Sequence, residues 1–276
     1  MIYLDNAATS YPKPEEVYAR VDEIFRTVGG NSGRGSHRMA LEAGRVIFRA
    51  RESLGKLLGV PDASRIVFTK NATEAMNVAL KGFFRPGDHV VTTAFEHNSV
   101  ARPLRKLERG GVGVTKVTGS RGDLIEPSDI EKALTADTKL VCIVHASNVF
   151  GTIQPIEAIG ELCRRKGVPF MVDAAQTAGA LPLDISSMNV DIVVGTGHKA
   201  LFGPQGTGFL YLGDGVEPPP LIDGGVGEQD DEFELPDRLE TGTMNTPGIG
   251  GLGAGVEFLL TEGVGRVREK EGALVS

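Results

Sequence analysis

Six short apolar runs, each divided from the next by a stretch with helical spacing or by turns, constrain this chain more than any other feature. They lie at residues 65–68, 88–93, 112–117, 139–145, 168–173 and 191–194. Helix candidates at 73–83, 99–108, 127–134 and 156–166 separate most of them. A strand that returns parallel to its predecessor needs a crossover, and a helix is the usual one. Repeated β-then-α units therefore predict an α/β fold, a mainly parallel sheet with helices on both faces. In such sheets ligands gather beyond the carboxyl ends of the strands. That rule nominates residues 69–73, 95–98, 146–148, 173–176 and 196–199.

The flanks read differently. Met1 to Leu4 suits a short strand, with a polar turn at 5–9. Pro12 and Pro14 lead into a helix at 15–28, with Val17, Val21, Ile24 and Phe25 on one face. The glycine-rich loop 29–36 carries Arg34, with His37 just beyond it, and suits an anion or a substrate as well as a linker. A long helix at 38–58 stops at Gly59 and Pro61. Residues 213–247 read as loop, with an acidic run at 228–234 taken as solvated surface. Helices follow at 248–260 and 265–276.

The most informative stretch is 191–212, DIVVGTGHKALFGPQGTGFLYL. A strand ends in the turn Gly195-Thr196-Gly197-His198-Lys199, glycine and proline then interrupt any helix, and a second strand runs from 208 to 212. A lysine so presented becomes a nucleophile when it is partly desolvated, and its best-known covalent use is a Schiff base with pyridoxal phosphate. A surface lysine is the plain alternative. Residues 195–200 also match the dinucleotide pattern GxGxxA, but no helix follows to carry a pyrophosphate.

Composition excludes several classes. A net charge of -7 with no basic run argues against nucleic acid and anionic membranes. No apolar stretch reaches membrane-span length, and MIYLDNAATS lacks the features of a signal peptide. Two cysteines, Cys142 and Cys163, make no disulfide framework, so a cytoplasmic, reducing compartment is the default. No metal ligands are assigned.

At the strand ends the residue types suit a phosphorylated aromatic cofactor. Asn71-Ala72-Thr73-Glu74 opens a helix, an anion site if it is more than a cap. Thr196 and His198 could donate to the same phosphate. Asp173 ends an apolar strand, where an unpaired acid is costly, and a pyridinium nitrogen would be its natural partner; a helix cap is the alternative. Gln176 could donate to a ring hydroxyl. His97 could stack on a ring and move protons, or be merely hydrogen-bonded structure.

Taken together, YLDNAATSYPKP, FTKNATEAMN, EHNS, HASNVFGT, VDAAQ, GTGHKALFGPQGTG and LETGTMNTPGIGGL resemble the class V aminotransferase family, in its cysteine desulfurase and selenocysteine lyase branch. The resemblance runs from residue 3 to residue 252. It implies the large domain of a type I pyridoxal-phosphate transferase, working as a homodimer on a cysteine-like amino acid, with a sulfur-acceptor protein as a further partner. Carried over by motif, Lys199 is the Schiff-base lysine, Asp173 the pyridinium partner and Gln176 the ring-hydroxyl donor. Ala72, Thr73, Thr196 and His198 form the phosphate cup, and His97 is the stacking, acid–base histidine. Asn148 sits beside ring and substrate, and Gly242 with Thr243 reaches the partner subunit's phosphate; Arg34 and His37 remain substrate-side candidates on the strength of the glycine-rich loop alone. The implied division is an N-terminal segment at 1–13, a cofactor-binding domain at 14–260, and the start of a linker helix at 261–276 toward a small C-terminal domain that is mostly missing. The implied activity removes sulfur from cysteine to leave alanine. The thiol it needs is neither Cys142, in a predicted strand, nor Cys163, in a predicted helix. Alternatives are an aminotransferase or lyase acting on another amino acid, and a cofactor-binding fragment without turnover.

Overall fold

A computed structural model describes residues 2–33, 37–119, 122–224 and 234–275. In chain order the elements are α1 (Glu15–Thr27), α2 (Arg38–Leu58), a 3-10 turn (Ala63–Arg65), β1 (Ile66–Thr69), α3 (Ala72–Lys81), β2 (His89–Thr93), α4 (Asn98–Arg109) and β3 (Gly113–Val117). They continue with α5 (Pro127–Ala133), β4 (Thr138–Val144), α6 (Ile156–Lys166), β5 (Phe170–Asp173), β6 (Ile192–Thr196), β7 (Gly208–Leu212), α7 (Thr246–Glu262) and α8 (Val264–Val275). Among the described residues, no strand forms at the amino terminus, where one was expected. Residues 2–5 are irregular, tied down by the Tyr3 hydroxyl, which donates to the Asp5 and Thr9 carbonyls. Most of the acidic run falls outside the described residues.

The seven strands form one sheet in the order β1-β7-β6-β5-β4-β2-β3. The β2–β3, β2–β4, β4–β5 and β5–β6 pairs are parallel, as the alternation predicts. β7 runs antiparallel to both β6 and β1. The connection from β6 to β7 holds no helix for a crossover, so the chain turns back beside the strand it has left. Two reversals restore direction, so β1 points the same way as β6. Thr69 therefore ends on the same rim as Thr93, Val144, Asp173 and Thr196.

Alternate strand residues feed two cores, one on each face. Val141 and Ile143 of β4 pack with Leu54, Ile159, Leu252 and Leu259. Leu140 and Cys142 pack with Met76, Ala79, Val100 and Leu104 of α3 and α4. Helices thus cover both faces, as expected. Glycines let α7 settle closely on α1 and α2; a Cβ on Gly250 would lie 2.2 Å from Ile24 Cδ1. Among the described residues, no helix is long and apolar enough to cross a membrane.

A sheet edge leaves backbone groups unpaired, and β1 is an edge. Here a buried ion pair closes it. Arg51 and Glu240 meet through two hydrogen bonds, Nη1–Oε1 at 2.7 Å and Nη2–Oε2 at 2.8 Å. Arg51 also donates to the Ile66 carbonyl, and Glu240 accepts from the Phe68 amide at 2.6 Å. The guanidinium lies 4.8 Å from the centre of the Phe68 ring.

Candidate active site

The rim of the sheet collects most of the nominated residues. Asp173 is the last residue of β5, is buried, and has Oδ1 accepting from the Ala175 amide at 2.9 Å. Burial pushes its carboxyl above the usual range, while that amide and the charges of His97 and Lys199 pull it back. Lys199, in the turn after β6, is half-buried; desolvation lowers its amine and Asp173 opposes the shift. Three side chains from separate strand ends, Asp173, Lys199 and His97, thus share one electrostatic environment.

The anion end lies beside them. Thr196 is in register with Gly208, and Gly208 with Thr69, so the three stand abreast on the rim. A Cβ on Gly208 would lie 2.6 Å from the Asn71 backbone, so only glycine lets the start of α3 sit this close. Asn71 caps α3, its side chain accepting from the Glu74 amide at 2.9 Å. The Ala72 and Thr73 amides have no acceptor among the described residues and carry the positive end of the helix dipole. His198 has a buried Nδ1 with no partner there either. The Thr196 hydroxyl donates, at 3.4 Å, to the Thr207 carbonyl.

His97 caps α4. Its Nδ1 accepts from the Ser99 amide at 3.1 Å and lies 2.8 Å from the Ser99 hydroxyl, which leaves Nε2 to carry the proton in the neutral ring. The cap and the functional reading are therefore compatible. Gln176 is half-buried in the turn after β5. Asn148 is exposed after β4, beside Ser147, whose hydroxyl accepts from the Val149 amide at 3.3 Å.

The remaining candidates have other contacts. His37 caps α2, accepting from the Ala40 amide at 3.4 Å. Thr243 accepts from Asn31 Nδ2 at 3.1 Å, and Gly242 holds a positive φ of 84°. Arg34 lies outside the described residues. A cavity of about 1130 Å³ runs beside Gly44, Arg51, Glu240 and Gly242 and includes neither Lys199 nor Asp173. The chemistry of the rim outweighs that volume as evidence for a site.

Three features escaped the sequence reading. The amino-terminal segment fastens the lysine turn: the His198 carbonyl accepts from Thr9 Oγ1 at 3.1 Å, the Ser10 amide at 3.0 Å and Lys13 Nζ at 2.9 Å. Ser10 Oγ donates to the Lys199 carbonyl at 2.9 Å. The polar cluster in SYPKP was the available signal. Gly208 was visible only as a strand glycine. Glu96 falls within the nominated residues 95–98 without a role assigned to it, yet its carboxyl is buried at the rim and burial pushes it up to about 8.

That last feature has a pH consequence. Between the ordinary 4.5 and about 8 the folded chain keeps a proton that the unfolded chain has released. Stability therefore falls as pH rises through that window, by at most about 1.4 kcal/mol per pH unit from this group. Asp173 and Asp191, also raised by burial, act in the same direction. His89, His145 and His198, lowered by burial, pull the other way below about 6.5 in both proteins, so the expected result is a difference: denaturant midpoints fall more steeply, or rise less, with pH in the unsubstituted chain than in Glu96→Gln. Equal slopes would contradict the assignment.

Pyridoxal phosphate fits these residues: a half-buried amine for its aldehyde, a buried acid with a single hydrogen bond for its ring nitrogen, and free amides with an unsatisfied histidine nitrogen near its phosphate. The dinucleotide alternative does not fit, because the turn after β6 leads straight to β7 without a helix.

The class-V aminotransferase family matches residues 2–276. The "Probable cysteine desulfurase" of Methanothermobacter thermautotrophicus is 36% identical over 97% of this chain and 69% of its own length. The cysteine desulfurase of Thermococcus onnurineus superposes with a TM-score of 0.91 at 35% identity, over 99% of this chain and 71% of that one. A structure described as SspA in complex with cysteine gives 0.84 at 35% identity, over 93% and 72%. The chain spans 64% of the cysteine desulfurase IscS of Dictyoglomus turgidum and 53% of that of Pectobacterium carotovorum. With its sheet order, its lysine turn and these likenesses together, the chain belongs to the class V aminotransferase family, in its cysteine desulfurase branch.

Proposed function

We propose that this chain is the pyridoxal-phosphate-binding part of a cysteine desulfurase, with residues 14–260 as the cofactor-binding unit and 1–13 and 261–276 as its flanks. The family depends on that cofactor. When bound, it supplies an aldehyde for an amine and a ring that withdraws electrons from the substrate carbon. The observation that carries the reading is that Asp173, Lys199 and His97 follow the ends of β5, β6 and β2 on one rim, near enough for Lys199 and His97 to act on the acid.

In this reading the Lys199 amine, partly desolvated, would hold the cofactor through its aldehyde and be placed to carry a proton near the substrate carbon. Asp173 keeps a proton on the ring nitrogen. The Ala72 and Thr73 amides, with Thr196 and His198, hold the phosphate. Gln176 faces the ring hydroxyl, and Asn148 faces ring and substrate. His97, with Nδ1 engaged by Ser99, would face the ring and hold a proton at Nε2. Ser10 and Lys13 fix the turn from which Lys199 projects.

Cysteine is the substrate by likeness to the cysteine complex. The overall change is cysteine plus a thiol giving alanine and a persulfide. Neither thiol of this chain suits that step. Cys142 is buried and pushed far up by burial and by Glu96 and Asp173, and Cys163 is pushed up to about 12. A homodimer, with Gly242 and Thr243 serving the partner's phosphate, is supported by the exposed apolar side chains of Phe25, Met39, Leu41 and Phe48 on α1 and α2. Arg34 and His37 complete the substrate side, a sulfur-acceptor protein takes the product, and the compartment is the cytoplasm.

The test is alanine release from cysteine by cofactor-loaded chain with an added thiol, and alanine matched by persulfide or sulfide is expected. The buried thiols favour a second reading, a cofactor-binding module without turnover. Loaded protein that releases no alanine under these conditions would replace the first reading with the second.

A further inference from the structure

Glu96 is half-buried as a residue, but its carboxyl points inward, and none of these roles uses it. Its Oε1 accepts from the Thr93 hydroxyl at 2.8 Å and from the Val144 amide at 3.0 Å. The side chain thus folds back across the ends of β2 and β4 and ties them together. Its Oε2 is buried and has no partner among the described residues. Val144 is paired in register with Asp173 on β5, and the two acids repel one another.

The groups facing Glu96 are Thr93 from β2, Cys142 and Val144 from β4 and Asp173 from β5. The Cys142 thiol is kept neutral by burial. Lys199 and His97 bear on Asp173 rather than on Glu96. Two buried carboxyls that repel one another do not readily both ionise, and the one with Lys199 beside it keeps the charge. An ionised Glu96 would have only the Thr93 and Val144 hydrogen bonds at Oε1 to offset a buried charge, with Oε2 left bare, whereas the neutral acid leaves only an unpaired hydroxyl, which costs less. Glu96 also immediately precedes His97, so its bridge fixes the backbone from which that ring projects.

We propose that Glu96 is a positioning residue, a carboxyl group held in its neutral form, which leaves the charge at the cofactor rim to Asp173 and fastens the start of α4 that carries His97. The proposal rests on the reading of Asp173 and His97 as cofactor contacts.

Infrared spectra of the full chain, before and after loading with pyridoxal phosphate, test the proton. A protonated-carboxyl band is expected at about pH 7, absent from Glu96→Gln, retained in Asp173→Asn, and lost in the unsubstituted chain at about pH 10. No such band, or one that persists in Glu96→Gln, overturns the proposal. Cofactor binding tests the positioning. Glu96→Ala is expected to weaken it about tenfold or more, and Glu96→Gln to restore it to within about threefold. A glutamine variant as weak as alanine, or an alanine variant as tight as the unsubstituted chain, overturns the positioning role. If the unsubstituted chain takes up no pyridoxal phosphate, the proposed function fails, while the infrared result still decides where the proton sits.

Discussion

Asp173→Asn is expected to weaken binding of pyridoxal phosphate by roughly 100-fold while leaving the fold at least as stable. An ion pair at about 4 Å in an effective dielectric near 20 is worth on the order of 4 kcal/mol before desolvation, and about 1.4 kcal/mol corresponds to a factor of ten. Asparagine keeps the shape and can still accept from the Ala175 amide, so the loss isolates the charge. Without cofactor, the acid is a burden, because burial raises it above its usual range. Removing a buried acid that serves a ligand commonly stabilises the free protein. An absorbance titration and a denaturant curve on the same samples give both numbers. Equal affinity in the two proteins would remove Asp173 from the cofactor site.

Glu240→Ala is expected to cost about 3–5 kcal/mol of stability, the usual result of stranding one member of a buried ion pair. Arg51 and Glu240 are 7% and 5% exposed, so solvent does little to screen the charge left behind. The substitution also takes the acceptor from the Phe68 amide on the edge strand. Replacing both partners, as in Arg51→Met with Glu240→Met, should cost far less, because no bare charge remains. A shift of the denaturant midpoint at constant slope measures each effect. A loss under about 1 kcal/mol in the single variant would show that the guanidinium finds water or another partner.

What could be read from the residues followed a physical divide. Strands such as 208–212 and helices such as 38–58 and 156–166 were legible to the residue, because apolar spacing and end signals are local. The rim was legible too, since the carboxyl-end rule needs only the strand boundaries. The direction of β7 was not drawn from the pattern, although the glycine and proline between 203 and 206 already denied the crossover helix. The buried ion pair of Arg51 and Glu240 joins residues far apart in sequence, and nothing local distinguishes either from a surface charge. The same holds for the amino-terminal strap on the His198 and Lys199 carbonyls, and for the inward turn of Glu96. Met1 to Leu4 read as a strand because it is apolar, but Ile2 and Leu4 are exposed, at 87% and 90%, and no neighbouring strand takes them up.

The account depends on one bond, between the cofactor aldehyde and a single amine. Borohydride reduction of the loaded chain, followed by peptide mapping, tests it most directly. One pyridoxyl group per chain on Lys199 is expected, with the visible band abolished, and no label in Lys199→Ala. Label at Lys13 or scattered over surface lysines, with Lys199 unmodified, would contradict it.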